Sequence, residues 1–183
     1  MANAAKHKEN IVKTTMRLFR KQGYASTGLQ QVLAESGAPK GSLYHYFPNG
    51  KESLGEAAVG MAGELIAEML NGLAAKHAQP KAFVRAYCKV MARWMEESKF
   101  RSGCPIATAM LETAPQSPSM TAAGARAIDR WIAIVGDVLQ RSGMQAREAA
   151  VRAELLVSTM EGALLLARVR QSTRPILDVA KLF

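Results

Sequence analysis

A chain of 183 residues, 49% of them apolar, can bury a core of its own; its size fits one or two small domains and excludes a large multidomain enzyme. Aromatic residues make up only 6% and alternating β-branched residues are scarce, so helix is expected throughout and no sheet. The formal charge of +9 is uneven: residues 1–55 carry eight Lys/Arg against three acids, a density that suits a polyanion partner or, equally, a solvated basic face without one.

In chain order, Ile11, Thr15, Leu18 and Phe19 recur at helical spacing from Lys6 to Gln22, and Gly23 closes this first helix. Thr27 followed by Gln30 reads as a capping box opening a short second helix, with Leu29, Val32 and Leu33 on one face and Gly37 at its end. Pro39 suits the first turn of a third helix, because its missing N–H has no acceptor there; Pro48 ends that helix after Phe47. Asn49 and Glu52 form a second capping pair. The fourth helix that follows, to about Lys76, carries Leu54, Ala58, Met61, Leu65 and Met69 on one stripe. Its glycines 55, 60, 63 and 72 mark close helix contacts or a kinked helix.

Phe83, Tyr87, Val90, Met91 and Trp94 repeat at three and four after Pro80, which makes a fifth helix broken at residues 101–105. A short sixth helix runs from about Pro105 to Thr113, and Pro115, Ser117 and Pro118 form a loop. The seventh helix, about 119–141, turns Ile128, Trp131, Val135, Val138 and Leu139 inward. The eighth covers about 145–171, and a last short helix starts at Thr173-Arg-Pro. Composition shifts near residue 50, where short basic helices give way to longer apolar ones. This divides the chain into 1–50 and 51–183.

The longest apolar run near the C-terminus, Gly162 to Ala167, is closed by Glu161 and Arg168, and the first residues do not read as a signal peptide. A cytoplasmic protein with no membrane partner is expected. Cys88 and Cys104 make no disulfide framework and lack zinc partners, and His7, His45 and His77 are scattered, so neither metal nor cofactor is expected. Cys104, between Gly103 and Pro105, suits a small buried residue at a helix start or a thiol sensor. No nucleophile with its base and no paired acids stand out, which argues against an enzyme.

Two short helices joined by a Gly-containing turn have the dimensions of a helix-turn-helix, whose second helix enters the major groove of DNA. In PKGSLYHYF, Leu43 and Phe47 are one turn apart and face inward, leaving Lys40, Ser42, Tyr44, His45 and Tyr46 outside as donors for phosphates and base edges. Tyr44 and Tyr46 as half-buried packing residues are the competing reading.

The stretch Tyr24 to Leu54, YASTGLQQVLAESGAPKGSLYHYFPNGKESL, resembles the DNA-binding signature of the TetR/AcrR family of transcriptional regulators. It departs from that pattern at Pro39, where Ser or Thr is common, and at Asn49-Gly50, one residue longer before Lys51. The resemblance implies an all-α protein of about nine helices: an N-terminal three-helix DNA-binding domain, then a helical ligand-binding and dimerisation domain. Pro39, at the start of the third helix, is counted with the candidate DNA-binding residues; the resemblance implies further that Gly41 lets the helix approach the bases, with Lys40, Tyr44 and His45 in the groove. Thr27, Ser42, Tyr46 and Lys51 then clamp phosphates. The expected partners are a palindromic operator in double-stranded DNA, a second copy of the chain, and a small, largely apolar inducer that releases repression.

Leu164, Leu165 and Leu166 need cover around most of a helix, from the chain's own core or from a second subunit. Leu156, Met160, Ala163, Leu164 and Ala167 are the candidate dimer residues. For the inducer, Met61, Leu65, Met91, Trp94 and Met95 are candidate lining, together with Phe100, Cys104, Met110 and Trp131; methionines fill irregular cores as readily as pockets. The segment GCPIATAMLETA, Gly103 to Ala114, resembles the LmrA/YxaF-like branch, which implies a response to drugs or flavonoid-like compounds.

Overall fold

A computed structural model describes the backbone of residues 2–183 and the side chains of residues 5–183 other than that of Lys40. The regular elements among these residues are α1 (Ala2–Gln22), α2 (Leu29–Ser36), α3 (Lys40–Tyr46), α4 (Lys51–Lys76), α5 (Pro80–Glu97), α6 (Pro105–Thr113), α7 (Pro118–Arg141), α8 (Ala146–Arg170) and α9 (Arg174–Val179). The all-α expectation holds. None of these helices is long and apolar enough to cross a membrane, and no group of three or more His, Cys, Asp or Glu among the described residues is placed to hold a metal ion.

Two compact units form, one from residues 1–64 and 105–127, the other from 65–104 and 128–183. Besides α1 to α3, the first unit takes in the first half of α4, α6 and the start of α7. In that unit α1 packs against α2, α3 and α6. Ile11, Leu18 and Phe19 of α1, Val32 of α2, Leu43 of α3, Leu54 of α4 and Ile106 of α6 are all buried. Their removal from water is the main favourable term holding the short helices, which are too short to persist alone.

Close packing explains two of the four α4 glycines. A Cβ on Gly55 would fall 2.8 Å from the Met120 sulfur, and one on Gly63 would fall 2.6 Å from the Ala127 Cβ. Gly60 and Gly72 face open space. The expected α4 stripe also changes along the helix: Leu54 and Ala58 are buried and Met61 is half-buried, but Leu65 is 42% exposed. Ala62, Ala67 and Leu70 are buried further along.

In the second unit α8 packs on α5 and α9, and α5 on α9. Phe83, Val84, Cys88 and Met95 of α5 meet a core that includes Leu156 and Met160 of α8 and Ile176 of α9. Between α5 and α6, Lys99 and Phe100 both adopt left-handed backbone conformations (φ 51° and 57°), which non-glycine residues seldom take. Hydrogen bonds from the Lys99 N–H to the Glu96 carbonyl and from the Phe100 N–H to the Met95 carbonyl accompany this reversal.

Candidate nucleic-acid interface

The polar residues of α3 are displayed because its apolar residues are not free to move. Leu43 and Phe47 are buried, the Phe47 N–H closes on the Leu43 carbonyl at 2.8 Å, and the Ser42 N–H bonds the Pro39 carbonyl at 2.9 Å. Pro39 occupies the N-cap, one position before the first turn. Upstream, α2 ends on Gly37 in the left-handed conformation (φ 65°), the turn that glycine makes without steric cost. The Arg17 guanidinium pairs with the Glu35 carboxylate at 2.6 Å, joining α1 to α2, and this hydrogen bond holds Glu35 below the usual carboxylate range. The Gln22 side-chain amide adds a 2.9 Å bond to Gln31.

On the resulting face Tyr44 is 59% exposed, and Pro39, Gly41 and His45 are exposed too. Ser42 and Tyr46 are half-buried, with Tyr46 edge-on between His45 (ring centroids 5.0 Å apart) and Phe47 (6.4 Å). Gly41 has open space where a side chain would project. The backbone of Lys40 is the first residue of α3; its side chain lies outside the described residues.

Two flanking residues are engaged inside the chain. Thr27 is 1% exposed, and its hydroxyl donates to the Gly23 carbonyl at 2.7 Å. It does not form the expected capping box: Gly28 is the N-cap of α2, without a side-chain cap bond. The Lys51 ammonium donates to the Ala25 carbonyl at 3.0 Å and lies 4.6 Å from the centroid of the Tyr24 ring. Partial burial lowers the Lys51 pKa, opposed by the Glu112 carboxylate.

Sequence reading missed one carboxylate and misassigned another. Glu112 of α6 accepts from the Tyr24 N–H at 3.1 Å and the Ala25 N–H at 2.5 Å. Glu52, expected to pair with Asn49, instead accepts from the Ser117 and Ser119 hydroxyls (2.5 and 2.9 Å), and these bonds lower its pKa. Partners 65 to 88 positions apart leave no local signal in a single sequence.

Of the candidate inducer residues, Met61 and Met110 fall in the first unit and are half-buried; the Met110 sulfur lies against Gly124. In the second unit Met91, Met95 and Trp131 are buried, and Trp94, Phe100 and Cys104 are half-buried. The Cys104 thiol hydrogen-bonds the Glu161 carboxyl, a partly buried acid on α8 whose pKa is raised by loss of solvent. Tyr87 beside them is raised well above the usual tyrosine range, first by burial and then by Glu161. Burial also pushes the Cys88 thiol up to about 11.

Four of the candidate dimer residues, Leu156, Met160, Ala163 and Ala167, are buried within the chain itself, and Leu164 is half-buried. The apolar surface that α8 leaves open is a different stripe: Val151, Leu155, Leu165, Leu166 and Val169. Near its start is a groove of about 800 Å³ lined by Val151, Leu155, Thr159, Leu182 and Phe183 among others.

A short helix anchored by buried apolar residues, turned outward by a left-handed glycine and braced by two others, has the geometry of a helix-turn-helix transcriptional regulator. Residues 11–58 match the family described as bacterial regulatory proteins of the tetR family, and residues 80–182 match the LmrA/YxaF-like transcriptional regulator C-terminal domain. The HTH-type transcriptional regulator YxaF of Bacillus subtilis (strain 168) is 32% identical over 99% of this chain and 95% of its own length. LmrA of the same organism is 30% identical over 94% and 92%. A TetR regulatory protein from Rhodobacter sphaeroides superposes with a TM-score of 0.85 at 22% identity, covering 95% of each chain. The chain belongs to the TetR family of transcriptional regulators, a family of DNA-binding proteins and not of enzymes, and its C-terminal domain is LmrA/YxaF-like.

Proposed function

We propose that the protein is a ligand-responsive repressor that binds a palindromic operator in double-stranded DNA as a homodimer and is released by a small, largely apolar inducer. The observation that carries this reading is the face of α3, where Tyr44 and His45 are exposed over buried Leu43 and Phe47 while Gly41 keeps the backbone open to close approach. Lys40, Tyr44 and His45 then read the major groove, and Ser42 and Tyr46 hold phosphates.

A twofold dimer places two such helices about 34 Å apart, one turn of B-DNA. The stripe from Val151 to Val169 supports a partner helix there. Nineteen residues of helix span about 27 Å, and the exposed Val and Leu side chains along it are otherwise left in water. An inducer acts by binding one dimer geometry better than the other, tilting α4 and changing the separation of the two reading heads.

Selection of binding sites from a random duplex pool, with sedimentation of the protein alone and with the recovered duplex, tests the reading. A palindromic site bound by two chains is the expected result. An asymmetric site, or a monomer at micromolar concentration, overturns it.

A further inference from the structure

We propose that Glu112 and Lys51 are positioning residues for DNA recognition, holding the α1–α2 turn by its N–H groups and by a carbonyl so that α6 and α4 fix the angle at which α3 is presented. The proposal rests on the reading of α3 as the DNA-contacting helix.

The turn is short of internal partners. After the Gly23 N–H closes α1 on the Phe19 carbonyl at 3.0 Å, the next two N–H groups, on Tyr24 and Ala25, bond a side chain of α6. The two Glu112 oxygens take one each, at 3.1 and 2.5 Å. On the carbonyl side the Gly23 oxygen accepts from the Thr27 hydroxyl, the Tyr24 oxygen from the Thr27 N–H at 3.1 Å, and the Ser26 oxygen from Gln22. The Ala25 oxygen accepts from Lys51 at 3.0 Å. A single peptide segment is thus held through its N–H groups by α6 and through a carbonyl by the first residue of α4.

Two further features fit this grip. Gly23 has φ 86°, and a Cβ there would run into the Glu112 carboxylate, so glycine serves both the turn and the approach of α6. Tyr24 fills the angle behind the turn: its ring lies 5.4 Å from that of Phe19 and 4.6 Å from the Lys51 ammonium, and a Cβ on Gly55 would sit 3.1 Å from its edge. Charge-assisted bonds to main-chain N–H groups are the stronger kind. A shift of α6 pulls on residues 24 and 25, and through α2 on α3.

The test uses full-length protein and the duplex recovered by selection. Glu112→Gln keeps one acceptor and loses the charge, and Lys51→Ala removes the other grip; each is expected to weaken binding about five- to tenfold with the fold intact by urea titration. The double variant should weaken it by less than the product of the two single effects. A phosphate contact by Lys51 would reduce the slope of log K against log salt by about 0.9, whereas a positioning role leaves the slope unchanged. Amide exchange of Tyr24 and Ala25 should accelerate in Glu112→Gln. Unchanged affinity in Glu112→Gln, or a drop accounted for by the unfolded fraction, overturns the proposal. A slope lowered by about one in Lys51→Ala removes Lys51 from it. If the wild-type chain shows no selective binding at all, the α3 reading fails and this proposal with it; binding that is normal in wild type and in Glu112→Gln defeats this proposal alone.

Discussion

Ala127 of α7 occupies the space that a side chain on Gly63 of α4 would need, its Cβ 2.6 Å from the ideal Cβ position. Three residues earlier, Gly60 meets nothing within 4 Å. The same substitution therefore has opposite signs at two places on one helix. Gly60→Ala is expected to stabilise the protein by up to about 1 kcal/mol, because alanine loses less backbone entropy. Gly63→Ala carries the same gain but forces α4 and α7 apart, at a cost of about 1–3 kcal/mol, and should be net destabilising. Urea titration of both variants decides; a stabilised Gly63→Ala would mean that the two helices separate freely.

Tyr44 is the most exposed aromatic side chain on α3 that the fold does not need. Tyr44→Ala should change stability by no more than about 0.5 kcal/mol, as exposed sites do. Its affinity for the selected duplex should fall about 5- to 100-fold, the range for one good base contact. Tyr44→Phe separates the hydroxyl from the ring: a loss equal to that of alanine assigns the contact to the hydroxyl. Fluorescence anisotropy with wild-type affinity in both variants excludes Tyr44 from the interface.

The helices and the outward polar face of α3 were legible in the sequence because their signals are local. Leu43 and Phe47 are four apart and both buried, Gly37 is the left-handed stop, and α3 ends where Pro48 requires. What failed was local inference about long-range partners. The Thr27-x-x-Gln30 spacing matches a capping box, but the Thr27 hydroxyl bonds the Gly23 carbonyl in a turn whose next N–H group bonds Glu112, far along the chain. On α8, the apolar residues run nearly all the way round, so periodicity does not say which face the chain's own core takes. Burial of Leu156, Met160, Ala163 and Ala167 within the chain leaves Leu165, Leu166 and Val169 outside.

That division makes the proposed dimer contact separable from the core. Leu166→Glu, at a position 44% exposed, should leave the monomer's stability nearly unchanged while shifting sedimentation to the monomer and weakening operator binding. Leu156→Ala empties a fully buried site and should cost about 2–5 kcal/mol without a selective effect on association. If Leu166→Glu still sediments as a dimer, the partner helix lies elsewhere.

Glu161 carries a pH prediction. Its pKa in the folded chain is raised, chiefly because burial removes solvent from the carboxylate, with the Cys104 hydrogen bond opposing the shift; Tyr87 and Cys104 are the neighbouring titratable groups. A raised acid binds its proton more tightly folded than unfolded, so stability is undiminished below the ordinary carboxylate value near 4.5 and declines as pH rises through the folded pKa. Glu161→Gln keeps an acceptor for the thiol and removes the charge. It should raise the melting temperature at pH 7.5 and leave it unaltered at pH 4. An equal change at both values would show that the amide alters packing and that the buried charge contributes nothing, and a lower melting temperature at pH 7.5 would mean that the ionised carboxylate is held by partners that stabilise it.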